Sequence, residues 1–263
     1  MRLLLPSDPG PGRLLEYVHL FSQNARIGSN GRIDIDGWQE RYLGAPVPVT
    51  ADAAAEAATP PGLGAAFFVE NHARMRQPAM APGSTSGSTS GSPLARKHHD
   101  SSVRLLHGLA IRMGGSAWPE APVMNDPLRA TIFTPNPQIG SAEAYHLVAR
   151  YAPDLEQVPP GHLAGTGVSL WRTRDGGFES EFWPAGTTSM MDPPVPRAVA
   201  DLQFFRESLV AVVLRFAVPG RRCLPANARV LGQCALDLAA AVDGVCIDQL
   251  GFRVLRSSDL VFG

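Results

Sequence analysis

Residues 167–183 read GVSLWRTRDGGFESEFW and residues 208–218 read SLVAVVLRFAV, and these two stretches decide the fold class. In the first, Asp175-Gly176 is a two-residue turn signal between two runs of strand-forming residues. A hairpin of that length sets its own register, with Arg172 opposite Glu179 and Trp171 opposite Ser180. Trp171, Phe178 and Phe182 then share one face, while Trp183, Glu179 and Glu181 share the other. The second stretch is apolar on both faces and rich in β-branched residues, as a central strand requires. A continuous helix over 196–217 is the competing reading.

Working outward, LRATIF (128–133) reads as a strand. So does VRLLHGLAIRM (103–113), where Val103, Leu105, His107, Leu109, Ile111 and Met113 recur at period two. SAEAYHLVARY (141–151) predicts a helix capped by Ser141 and stopped by Pro153, and PRAVADLQFF (196–205) predicts another. Pro225 opens a further helix, whose apolar stripe runs through Val230, Leu231, Cys234, Leu238, Ala241 and Val242. Gly232 within it costs about 1 kcal/mol relative to alanine unless another backbone comes close, so it predicts close packing. VCID and FRVL close the chain as a bent strand or small hairpin. Antiparallel hairpins without a repeated βαβ unit predict an α+β protein. The expected form is a two-layer sandwich of a mainly antiparallel sheet with helices on one face, spanning residues 95–263 and carrying an extended N-terminal arm.

The arm is separated from that domain by residues 83–94, which contain the tract GSTSGSTSGS, a four-residue repeat without an apolar or charged side chain. Ten such residues behave as a flexible coil spanning roughly 17 Å, natural or engineered. Residues 1–82 carry short apolar pieces between loops: Leu14, Leu15, Val18 and Phe21 at helical spacing, Ile33 and Ile35 in alternation after Asn30-Gly31, and Phe67-Phe68-Val69. Such anchors predict a segment that becomes ordered by lying on another surface.

Composition bounds the chemistry. The 263 residues hold 44% hydrophobic side chains, enough for a core, and 23 basic against 24 acidic groups, so bulk charge gives no reason to expect nucleic acid or an anionic membrane as partner. No run approaches a membrane span, and Pro6 interrupts the opening MRLLLPSDPG before an apolar signal segment could form, so the expected location is the cytoplasm. One lysine, Lys97, against 22 arginines fits a GC-rich, bacterial source. Cys223, Cys234 and Cys246 are odd in number and fit neither a disulfide framework nor a metal knuckle, so all three are expected as reduced thiols in the core.

Motifs for catalysis fail on spacing. Aligning Asp34, Asp36 and Gly37 with a calcium loop puts Arg32 and Leu43 at ligand positions. His98, His99 and Asp100 lack the further fixed ligands of a zinc site. GTGVS (165–169) places Ser169 at a strand start, without the strained elbow that exposes a nucleophile, and no phosphate loop is present. Glu179 and Glu181 have a spacing open to two-carboxylate chemistry, but Arg172 opposite favours an ion pair. His107 is expected buried in the core. No metal and no cofactor are therefore expected.

The functional expectation is a non-enzymatic protein-protein binding module of the chaperone, immunity or assembly-adaptor type. Its protein contact is residues 1–82 against residues 95–263, or against another chain. The expected binding residues are Leu14, Val18, Ile33, Ile35, Phe67 and Phe68, with Trp118 and Trp183 as amphipathic rings at strand ends. The alternative is an enzyme with an acid–base site between sheet and arm, using His107, Glu179 or Asp248.

Overall fold

In the computed structural model, which describes residues 1–35, 41–50, 62–71, 93–118, 128–159, 161–191, 198–199, 208–216 and 225–260, Arg172 lies opposite Glu179 and Trp171 opposite Ser180, the register that the Asp175-Gly176 turn dictates. The chain is α+β, with four helices and two antiparallel sheets among the described residues. It divides into two compact units, Met1–Pro122 and Val123–Gly263.

The second unit runs β8 (Arg129–Thr134), α3 (Ser141–Ala149), β9 (Leu155–Val158), β10 (Ser169–Thr173), β11 (Phe178–Trp183), β12 (Val210–Phe216), α4 (Pro225–Ala241) and β13 (Val245–Asp248). Its strand order is β13-β8-β12-β11-β10-β9. β12, the stretch apolar on both faces, is indeed interior and buried from Val210 to Leu214. One face of the sheet supplies Ala130, Ile132, Trp171, Phe178, Phe182, Val212 and Leu214 to a core shared with Ala144 and Val148 of α3 and Leu231, Cys234, Ala235 and Leu238 of α4. Gly232 permits the close approach its position implies: a β-carbon there would stand 2.8 Å from the Ser257 carbonyl oxygen. The residue flanking α3 at its start is Gly140, in extended conformation, with Ser141 already helical. VCID and FRVL meet through Asp248 N–H to Phe252 and Val254 N–H to Cys246 backbone bonds. Of the helix expected over 196–205, only 198–199 are described, in a 3₁₀ turn.

The first unit runs β1 (Arg2–Leu5), α1 (Pro11–Phe21), β2 (Arg26–Ile27), β3 (Ile33–Asp34), β4 (Arg41–Leu43), β5 (Val47–Pro48), β6 (Ala65–Asn71), α2 (Pro93–Met113) and β7 (Ser116–Trp118). Its sheet is ordered β2-β3-β4-β6-β1-β7, with β5 also paired to β6. Here two expectations change. VRLLHGLAIRM is not a strand but the C-terminal half of α2, buried on nearly every side from Ser102 to Ala110. A helix enclosed on all sides has no polar face to mark its period, so alternation arose by chance. Nor is the described part of 1–82 an arm laid on a 95–263 domain: β1 is an interior strand between β6 and β7, α2 packs on β1 and β7, and the unit reaches residue 122. The physical reason is β1 itself, whose Leu3, Leu4 and Leu5 are all buried and so need cover on both faces and neighbours on both edges. Residues 83–92 lie outside the described residues.

Candidate interaction surface

The two sheets share a register, and that makes their surfaces comparable position by position. In the first unit Leu3 faces Phe67 and Ala66 faces Leu4; in the second Ile132 faces Val212 and Ala211 faces Phe133. Phe68 thus corresponds to Val213, Arg2 to Thr131, and Val47, which pairs with Ala66, to Trp183, which pairs with Ala211. All lie on the sheet face opposite the one that carries Phe67 or Val212.

In the second unit that face is closed. Trp183 is 6% and Val213 2% exposed, in a cluster with Phe133, Ala211 and Ile247 that is covered by Val168, Ala198, Val199 and Leu209. Its far end is polar: Glu156, Arg172, Glu179, Arg215 and Arg129 stand opposite one another on five successive strands. Arg172 pairs with Glu179, Arg215 with Glu181, and Arg174 with Glu156 at 2.6 Å. Trp183 Nε1 donates to Glu181 at 2.9 Å. Both carboxylates singled out for acid–base chemistry are therefore held in ion pairs.

In the first unit the matching positions stand open. Phe68 is 43% and Val47 50% exposed, while Leu4 and Ala66 between them are buried. Half-buried Arg2 lies directly across from Phe68, and its Nε is buried without a hydrogen-bond partner. Tyr42, opposite Glu70, continues the same face. An aromatic ring, an aliphatic side chain and a half-buried guanidinium form an amphipathic surface of the kind proteins use to recognise one another.

The other residues picked from sequence fall elsewhere. Leu14, Val18, Ile33, Ile35 and Phe67 are core residues of the first unit, so Phe68 alone of the six anchors is free to meet a partner. Trp183 is buried, and the side chain of Trp118 and residues 36–40 lie outside the described residues. His107 is a buried residue of α2, and His99 and Asp100 are exposed on the same helix. Asp248 Oδ1 accepts the N–H groups of Leu250 and Phe252, each at 2.9 Å, which makes it the organiser of a turn. Among the described residues no group of three or more His, Cys, Asp or Glu is placed to hold a metal ion, and no described helix is long and apolar enough to cross a membrane.

Sequence reasoning missed Arg41, 1% exposed, whose guanidinium donates to Ser102 on α2 at 3.2 Å. It also missed a surface clamp in the second unit. Tyr151 donates to Asp237, which also accepts from Gln233 at 2.7 Å, and the Asp237 carboxylate pushes the phenol up to about 12. Burial pushes the Cys234 thiol up to about 12 and raises Cys246 as well, so both sulfurs are unreactive core groups. In the hairpin turn, the Thr173 hydroxyl and the Gly177 N–H hold the Asp175 carboxyl below its usual range. The chain matches no protein-family model, no curated protein and no solved structure.

Proposed function

We propose that this chain is a non-enzymatic protein-binding module whose contact surface is the face of the first sheet around Phe68, Val47, Arg2 and Tyr42. One observation supports this above others: the chain buries Val213 and Trp183 at the equivalent positions of its second sheet and leaves Phe68 and Val47 in water. Exposed apolar side chains clustered beside a cation favour an interface over a plain solvated surface. The half-buried Arg2 guanidinium beside Phe68 favours a partner that presents a carboxylate or backbone carbonyl next to an apolar side chain. The engagement of Glu179 in an ion pair and of Asp248 in a turn leaves the enzyme reading with less support.

The test places a photo-crosslinking phenylalanine analogue at position 68 of the full chain in its native cells, with the same analogue at exposed Met190 as control. One protein trapped at 68, not at 190, and lost on Arg2→Glu is the expected result. Identical cross-link patterns from the two positions would sink the proposal.

A further inference from the structure

The correspondence between the sheets extends through every element. Each unit reads strand, helix, two strands, a strand pair or its fused equivalent, a further strand, helix, strand. The sheet orders β2-β3-β4-β6-β1-β7 and β9-β10-β11-β12-β8-β13 are the same order. Registers agree residue by residue. Arg26 faces Asp34 and Ile27 faces Ile33, just as Glu156 faces Arg172 and Gln157 faces Trp171. Leu43 faces Val69 and Arg41 faces Asn71, as Ser180 faces Leu214 and Phe178 faces Phe216. Ser116 faces Leu4 and Ala117 faces Leu3, as Val245 faces Phe133 and Cys246 faces Ile132.

Local details repeat too. Both first helices follow a glycine, Gly10 or Gly140, and bury residues four apart, Leu14 and Val18 or Ala144 and Val148. Both second helices end alike. Gly114 and Asp243 have positive φ, of 67° and 50°, and the next residue, Gly115 or Gly244, donates 2.7 Å to the carbonyl of Ala110 or Ala239. At both glycines a β-carbon would collide with the carbonyl of the facing strand residue, Leu4 at 2.2 Å or Phe133 at 2.8 Å. An Asp at positive φ is uncommon, so its coincidence with a glycine at the matched helix end adds weight beyond topology.

We infer that the chain is two tandem copies of one β-α-β-β-β-β-α-β module, and that the GSTSGSTSGS tract is an insertion inside the first copy rather than a tether between a ligand and its receptor. Matching registers put Asn71 at the place of Phe216, and the helix ends put Arg96 at the place of Pro225. Between those points the first copy has residues 72–95 and the second only residues 217–224. The extra length, which includes the repeat tract, lies between β6 and α2 of one unit. This inference is independent of the proposed partner.

The test is made on the full chain by replacing residues 72–95 with the second copy's own connection, AVPGRRCL, and in parallel with eight residues of alternating Gly and Ser. If the copies are equivalent, eight residues span the gap. The amides of β1 and of residues 102–113 then keep the hydrogen-exchange protection they have in the parent in at least one of the two proteins, and far-ultraviolet circular dichroism is unchanged. Loss of protection in those segments in both proteins, with the second unit still protected, overturns the inference.

Discussion

The two units solve one packing problem with different chemistry. Where α4 sets Leu231 near a sheet that carries Phe178, α2 sets Ser102 against Arg41, so the first unit places a hydrogen-bonded cation where the second places an apolar contact. On the opposite face the divergence is reversed, for the second unit covers its apolar patch with its own connections and the first leaves Phe68 and Val47 exposed. Backbone architecture tolerates both, because strand register and helix ends depend on a few steric points: a glycine beside a carbonyl and an interior strand with neighbours on both edges. The side chains between those points are free to specialise.

The largest effect is expected from charges placed at the matched centres of the two sheets. Phe67→Asp and Val212→Asp each put a carboxylate in a core and should cost several kcal/mol, enough to unfold a marginal unit. Hydrogen exchange should show protection lost first in the unit that carries the change; equal loss in both units from either substitution would break the comparison. Next come the helix ends. Gly115→Ala should cost about 3 kcal/mol and Gly244→Ala about 1–2 kcal/mol by urea denaturation, since overpacking grows as the contact shortens. The reverse ranking would show that the closer approach relaxes freely.

A smaller effect tests the exchanged core chemistry. Ser102→Leu alone removes an acceptor from a buried guanidinium and should cost about 1–3 kcal/mol. Arg41→Met together with Ser102→Leu restores the apolar pairing of the second unit and should recover that loss or exceed the parent, as measured by melting temperature. The smallest effect is alkaline. Tyr151 is raised in the folded state from the usual 10 to about 12, so its contribution is fully present below pH 10 and is lost as pH climbs through 12. Tyr151→Phe should flatten that part of the stability profile, losing at neutral pH the modest contribution that the parent loses only as pH climbs through 12; an unaltered alkaline slope would remove the clamp from the account.

Much of the second unit was legible in its residues. Asp175-Gly176 fixed one register, the unbroken apolar run of β12 fixed an interior position, and Pro225 with Gly232 marked a helix that touches foreign backbone. The first unit was harder. Its strands β2, β3 and β5 have two residues each, too short for alternation to register, and α2 is enclosed on nearly all sides from Ser102 to Ala110. A helical signal did exist in Arg104, Gly108 and Arg112, spaced by four, with Arg112 donating back to the Gly108 carbonyl at 3.3 Å. The candidate surface was read only in part, because Phe67 and Phe68 look identical in sequence while strand alternation sends one inward and the other to water. The module repeat escaped notice because it resides in register and helix ends, which few shared letters record.

The interior place of β1 also bears on how the protein is made. Its neighbours in the sheet begin at Ala65 and Ser116, so during synthesis it has no strand to pair with until β6 follows, and it lacks its second neighbour until β7 does. At roughly 5–20 residues per second, that wait lasts several seconds to some twenty seconds. Until it ends, the β7 edge of the Leu3-Leu4-Leu5 segment stays open to chaperones and to neighbouring nascent chains, and each residue between β6 and α2 prolongs the exposure.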